Sequence, residues 1–252
     1  MPGLRSPGCG VTEPLDSGRF TIDINGTERE YVLDVPGSYD ESQPYRLIFA
    51  WHWVGSSADE VASGEPGDYG GLGPYYGLKA LANESAIFVA PEGIETGWEN
   101  PDDRDLEFVR GMLEHFNSRL CIDQGRIFST GFSYGAMMSV AVGCEMGDVF
   151  RAIAPMSGST RSGCNEKDAP IAYWGAHGAD DTDVPPEFGS MARDIFVERN
   201  HCQEQTAAIE PSPCVAYVGC DAGYPVHWCE FDADHTQWPG APEPLWAFFT
   251  QF

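Results

Sequence analysis

The pentapeptide Gly131-Phe132-Ser133-Tyr134-Gly135 constrains this chain more than any other feature, because of what flanks it. The preceding residues, Arg126-Ile127-Phe128-Ser129-Thr130, read as a buried strand, and those that follow, Ala136-Met137-Met138-Ser139-Val140-Ala141, read as a helix. Strand, sharp turn and helix in that order force the serine into a strained backbone conformation with its hydroxyl presented outward. They also demand small residues two positions before and two after, so that strand and helix can approach. Gly131 and Gly135 meet that demand, and the pattern predicts a nucleophile elbow with Ser133 as nucleophile.

Around the elbow, apolar runs alternate with amphipathic segments. Strands are expected at 31–35, 46–50, 86–90, 126–130, 152–156 and 171–175, and helices at 77–84, 105–120, 136–145 and 189–200. This is α/β order: a mostly parallel central sheet with helices on both faces, which at 252 residues is expected to form a single domain spanning 1–252. The stretch from Gly55 to Gly77, rich in Gly, Ser and Tyr, is too long for an ordinary connection and is expected to be a substrate loop. Near the C-terminus, 214–218 and 224–231 read as two strands about a turn at Asp221-Ala222-Gly223. Cys214 and Cys229 are equidistant from that turn, so a cross-strand disulfide between them is predicted.

The eight cysteines are even in number and contain no C-x-x-C pair, which favours disulfides over zinc or dithiol redox chemistry and implies an oxidising compartment. Two sequons, Asn25-Gly26-Thr27 and Asn83-Glu84-Ser85, fit a secreted, extracellular glycoprotein. No apolar run is long enough to span a membrane, and the start, MPGLRSPGCG, lacks a signal-peptide core, so a mature, soluble form is expected. Thirty-nine acidic against 14 basic residues give a formal charge of −25, which argues against nucleic acid or anionic membranes as partners.

A serine nucleophile needs a base, and in this order of elements an acid and then a histidine follow it on loops after later strands. His52 and His115 precede the serine, His201 ends a predicted helix and His227 lies within a predicted strand. His235, in the polar loop after the last strand, is the expected base, and His177 is expected to be structural. The loop after His177-Gly178 carries Asp180, Asp181 and Asp183, any of which could orient the imidazole by spacing alone. The oxyanion donors are expected to be the amide of Tyr134 and that of Trp53 or Val54, in the loop after the strand 46–50.

With these residues in view, the chain resembles the fungal feruloyl esterases related to the polyhydroxybutyrate-depolymerase-like branch of α/β-hydrolases. The likeness spans nearly the whole chain. It rests on Pro44 to Phe49 running into His52-Trp53, on Tyr75-Tyr76-Gly77-Leu78, on Ser85 to Pro91, on the elbow, and on Gly223-Tyr224-Pro225-Val226 leading to Asp234-His235-Thr236. In that family the acid falls four residues beyond the histidine of a His-Gly pair, and the resemblance therefore selects Asp181. It implies hydrolysis of feruloyl esters of plant cell-wall arabinoxylan, and the expected mechanism runs through an acyl-enzyme with no metal or organic cofactor, in a chain expected to be a monomer. Two departures are Tyr134 and Ala136, where the family usually has Trp and Gly, and an early loop, Trp53-Val54-Gly55-Ser56, poorer in glycine. Acetylxylan esterase and polyester depolymerase are the alternative activities. A polysaccharide-binding protein without turnover, or a purely structural disulfide-stapled domain, is the non-enzymatic alternative.

Overall fold

Along the strand Tyr45–Trp51, Leu47, Phe49 and Trp51 face one side and Ile48 and Ala50 the other, and all five are fully buried. A strand buried on both faces needs cover on both, which is the condition of a parallel sheet between helix layers. The computed structural model, which describes residues 4–67, 69–164 and 169–252, has this arrangement.

Among the described residues, ten strands form one sheet: β1 (Gly18–Ile24), β2 (Thr27–Asp34), β3 (Tyr45–Trp51), β4 (Ala86–Pro91), β5 (Ile122–Phe132), β6 (Ala152–Met156), β7 (Ala172–Gly178), β8 (Thr206–Ala208), β9 (Cys214–Tyr217) and β10 (Val226–Phe231). Their spatial order is β1-β2-β4-β3-β5-β6-β7-β10-β9-β8. The centre, from β4 across to β10, is parallel, and the strands added at either edge pair antiparallel. Three helices, α3 (Arg104–Arg119), α4 (Tyr134–Glu145) and α5 (Pro186–Arg199), bury Leu106, Met138 and Phe196 against one face together with Phe49. The other face is covered by α1 (Ala58–Ser63), α2 (Leu78–Ala82) and α6 (Pro242–Thr250) through Val61, Leu78 and Phe249.

Two helices and two strands lie outside the expected elements. α1 lies inside the stretch expected to be a loop; its N-terminal Ser57 accepts the Glu60 amide, and Ser57-Ala58-Asp59-Glu60 is the S-x-x-E capping signature. α6 opens Pro242-Glu243-Pro244, which reads as a breaker, yet proline is tolerated in a first turn whose amides have no partner. β8 is an edge strand exposed throughout, and β1, at the other edge, alternates Phe20, Ile22 and Ile24 on its half-buried face, a period-two signal that the expected strands omit. Cys214 and Cys229 stand directly opposite in the β9–β10 ladder and are bonded, as the turn symmetry predicts. Three further disulfides join Cys9 to Cys121, Cys144 to Cys164 and Cys202 to Cys220.

Candidate active site

Ser133 stands where β5 gives way to α4, at φ 54° and ψ −119°, a conformation that costs energy for any residue with a side chain. Packing holds it there. Its amide donates to Met156 O at 2.9 Å, fastening it to β6, and its carbonyl accepts the Met137 amide at 3.0 Å, opening the helix. A Cβ on Gly131 would sit 2.5 Å from the Gly135 backbone, and one on Gly135 would sit 2.1 Å from Trp51 O. Both glycines are therefore required by close approach, the first of strand to helix and the second of helix to the loop after β3.

β10 delivers His235 to the serine. Ser133 Oγ lies 2.9 Å from His235 Nε2, and His235 Nδ1 lies 2.7 Å from Asp181 Oδ2. All three residues are buried. The other two aspartates of the acid loop, Asp180 and Asp183, are exposed. Asp181 is turned inward by the amides of Val184 and Asp183, which donate to its Oδ1 at 2.7 and 3.1 Å. Burial alone would push its carboxyl up. Hydrogen bonds from His177, His235 and the Val184 amide outweigh burial and hold it well below the usual carboxylate range. An ionised Asp181 accepts the Nδ1 proton of His235, which leaves Nε2 free to accept the serine proton.

The loops that carry acid and base are tied to each other. Asp234 accepts from the Thr182 amide at 2.9 Å and the His235 amide at 2.8 Å, and these bonds hold its own carboxyl down as well. Phe132 and Tyr69 flank the imidazole with ring centroids 4.8 and 5.2 Å away. The segment expected to be a substrate loop thus reaches the base: Tyr69 O accepts from the Gln237 amide and the Thr236 hydroxyl, both at 3.0 Å. His177 is bonded to the acid loop. Its Nε2 donates to Val184 O at 2.8 Å and lies 3.4 Å from Asp181 Oδ2, bracing the acid loop.

The loop after β3, which carries Trp53 and Val54, is held by its carbonyls. Trp51 O accepts from Tyr76 Oη at 2.5 Å, His52 O from Trp98 Nε1 at 2.8 Å, and Trp53 O from the Nδ1 of His52 at 2.7 Å. His52 Nε2 accepts the Gly93 amide at 2.9 Å, so the ring is neutral with its proton on Nδ1, and burial pushes its basicity down. Among the described residues, neither the Trp53 nor the Val54 amide donates to a backbone carbonyl. The Tyr134 amide belongs to the first turn of α4, which has no intrahelical acceptor. The end of β3 and the helix start are pressed together at Gly135, where a Cβ would sit 2.1 Å from Trp51 O and 2.7 Å from His52 O. Sequence reasoning named Trp53, Val54 and Tyr134 but missed His52, Tyr76 and Trp98, which set the loop. The position of His52 beside Trp53 was the available signal.

A buried serine, imidazole and carboxylate in hydrogen-bonded series, beside unengaged amides, are the parts needed for acyl transfer. No protein-family model matches the chain. Over 262 residues it is 39% identical to feruloyl esterase D of Neurospora crassa, covering 98% of this chain and 90% of that protein. It is 38% identical over 260 residues to a probable feruloyl esterase C of Aspergillus niger, covering 98% and 92%. The solved structure of a ferulic acid esterase from the anaerobic fungus Anaeromyces mucronatus matches with a TM-score of 0.64 at 18% identity, over 95% of this chain and 91% of that one. That likeness shows the shared α/β-hydrolase fold.

Proposed function

This chain belongs to the fungal feruloyl esterases, and from that premise we propose that Ser133, His235 and Asp181 carry its ester hydrolysis, with oxyanion donors at Tyr134 and at Trp53 or Val54. The enzyme is a carboxylic ester hydrolase that cleaves feruloyl esters. The observation that carries the residue assignment is the unbroken series Ser133 Oγ, His235 Nε2, His235 Nδ1, Asp181 Oδ2.

In this reading His235 removes the Ser133 proton as Oγ attacks the ester carbonyl, and the new oxyanion is met by the amides of the loop after β3 and of Tyr134. The imidazolium, stabilised by Asp181, protonates the departing alcohol and leaves a feruloyl-enzyme. Water activated by the same histidine then releases ferulate. The elbow strain and the carbonyl tethers of the early loop serve one end: the donors are fixed before charge develops, so little reorganisation is needed at the moment of reaction.

The alcohol is the arabinosyl group of feruloylated plant cell-wall polysaccharide, and the enzyme works as a secreted monomer. Four disulfides support an oxidising, extracellular setting. Both sequon asparagines, Asn25 and Asn83, lie on exposed turns, which supports glycosylation there. The test is ferulate release from methyl ferulate and from feruloylated arabinoxylan fragments, with Ser133→Ala alongside. Release that vanishes in the variant is expected. Cleavage of p-nitrophenyl acetate alone would redirect the reading to an acetyl or polyester esterase, and release surviving in Ser133→Ala would refute the nucleophile.

A further inference from the structure

Between the loop leaving β6 and the start of α5 the surface folds into a cleft of about 330 Å³, lined by Met137, Thr160, Arg161, Val184, Pro185 and Phe188 among others. The proposed site joins it at two points. Met137 lies one helical turn beyond Ser133 and gives its amide to the serine carbonyl. Val184, on the cleft wall, gives its amide to Asp181. The volume is at the low end of the range for small-molecule sites, about 300–1,000 Å³, so it suits one substituted ring rather than a run of sugars.

The two walls differ in chemistry. Met137, Val184, Pro185 and Phe188 supply apolar surface, with the Asp183 carboxylate beside Val184, and Phe188 remains 47% exposed, an aromatic ring at a cleft that the chain itself leaves half uncovered. The loop leaving β6 supplies Ser159, the Thr160 hydroxyl and the Arg161 guanidinium, which lies 3.7 Å from Glu99 Oε1 and 5.7 Å from the Tyr134 ring centroid. That wall is preformed. The Cys144–Cys164 disulfide anchors its loop, the buried Ser162 hydroxyl donates to Trp98 O at 2.6 Å, and Asn100 Nδ2 donates to Ser162 O at 2.9 Å. A pentose carries hydroxyls around its ring and would leave several unanswered against the apolar surface. A hydroxycinnamoyl ring has flat apolar faces and polar substituents confined to one end.

We propose that this cleft is the acyl-ring site, with Phe188 packing on the hydroxycinnamoyl ring and Arg161 and Thr160 meeting the oxygens at its far end. The assignment rests on the feruloyl esterase reading of the adjoining serine. Phe188 and Arg161 are surface residues, so their variants keep the fold.

The test compares steady-state kinetics of Phe188→Ala, Phe188→Tyr and Arg161→Gln on methyl ferulate, methyl cinnamate, p-nitrophenyl acetate and a feruloylated arabinoxylan fragment. Phe188→Ala is expected to lower the kcat/KM ratio of methyl ferulate to p-nitrophenyl acetate by about five- to tenfold, through KM, with Phe188→Tyr restoring it. Arg161→Gln is expected to lower the preference for methyl ferulate over methyl cinnamate about fivefold. If Phe188→Ala instead weakens only the arabinoxylan fragment or only p-nitrophenyl acetate, the cleft holds the leaving group and the proposal falls. Unchanged ratios in both variants would overturn it too. A wild-type enzyme that cleaves p-nitrophenyl acetate but not methyl ferulate would overturn the premise before any variant is made, which keeps the two failures apart.

Discussion

Replacing Asp181 by asparagine tests the proposed relay at the point where the geometry makes a directional demand. The two carboxylate oxygens are not equivalent: Oδ1 accepts two backbone amides, from Val184 and Asp183, while Oδ2 faces His235 Nδ1 at 2.7 Å. An amide side chain has one acceptor and one donor end. Turned with its NH2 toward Oδ1's place, it would set two N–H groups against a third and lose two hydrogen bonds, each worth about 1 kcal/mol with a further desolvation cost. It therefore settles with its oxygen toward the amides and its NH2 toward His235. That NH2 can only donate, so His235 Nδ1 must accept, and its proton moves to Nε2, the nitrogen that should receive the proton of Ser133. Asp181→Asn should thus lower kcat for methyl ferulate by about 10⁴ while the protein stays folded, since shape and two of the hydrogen bonds survive. The assay is ultraviolet-monitored hydrolysis beside a thermal melt, with Asp180→Asn as a control expected to stay within about threefold, because its carboxyl is exposed. Activity within about tenfold of wild type in Asp181→Asn would refute the orientation argument, and a comparable loss in the control would move the acid.

Gly135→Ala puts a Cβ 2.1 Å from Trp51 O, so the loop after β3 must shift, and kcat should fall by about a hundredfold or more with a lower melting temperature; turnover within threefold of wild type would refute the close-approach argument. Burial lowers the folded pKa of His52 and His227. The unfolded chain then binds more protons below about 6.5, so their contribution to stability is complete above that pH and is lost as pH falls beneath it. The Asp181 contribution is lost only below about 3.9, and exposed His201, raised by Asp221, acts in the opposite sense. Melting temperature should therefore decline from pH 7 to 5, less steeply in His227→Gln, and an identical slope would count against the assignment. Removing Cys214–Cys229 by alanine at both positions opens a loop of sequence separation 15 and should cost about 3 kcal/mol in denaturant unfolding; a loss under about 1 kcal/mol would contradict it.

The features legible from sequence are those whose reasons are local. The elbow is one, because strand, glycine, serine, glycine and helix are contiguous, and each has a steric motive that needs no knowledge of distant parts. Chain order pointed to His235. Spacing could not separate Asp180, Asp181 and Asp183, because what separates them is burial: Asp181 is turned in by amides two and three residues ahead, while the other two face solvent. The family resemblance made that choice where residue spacing did not.

What sequence could not reveal is the part of the site made from backbone partners. Apart from its place beside Trp53, His52 gives no sign of its partners, since its two bonds go to Trp53 O and to the Gly93 amide 41 residues away. The same holds for Tyr76 and Trp98, whose donors end on the carbonyls of Trp51 and His52. With those three carbonyls each held by a buried donor, the peptide planes of the early loop have fixed orientations, which is what an oxyanion site requires of donors that must not turn toward water. A motif specifies which residue attacks. The orientation of the donors that answer the attack is set by pairings between side chains and main chain, and these become visible only once β3, β4 and β5 lie side by side.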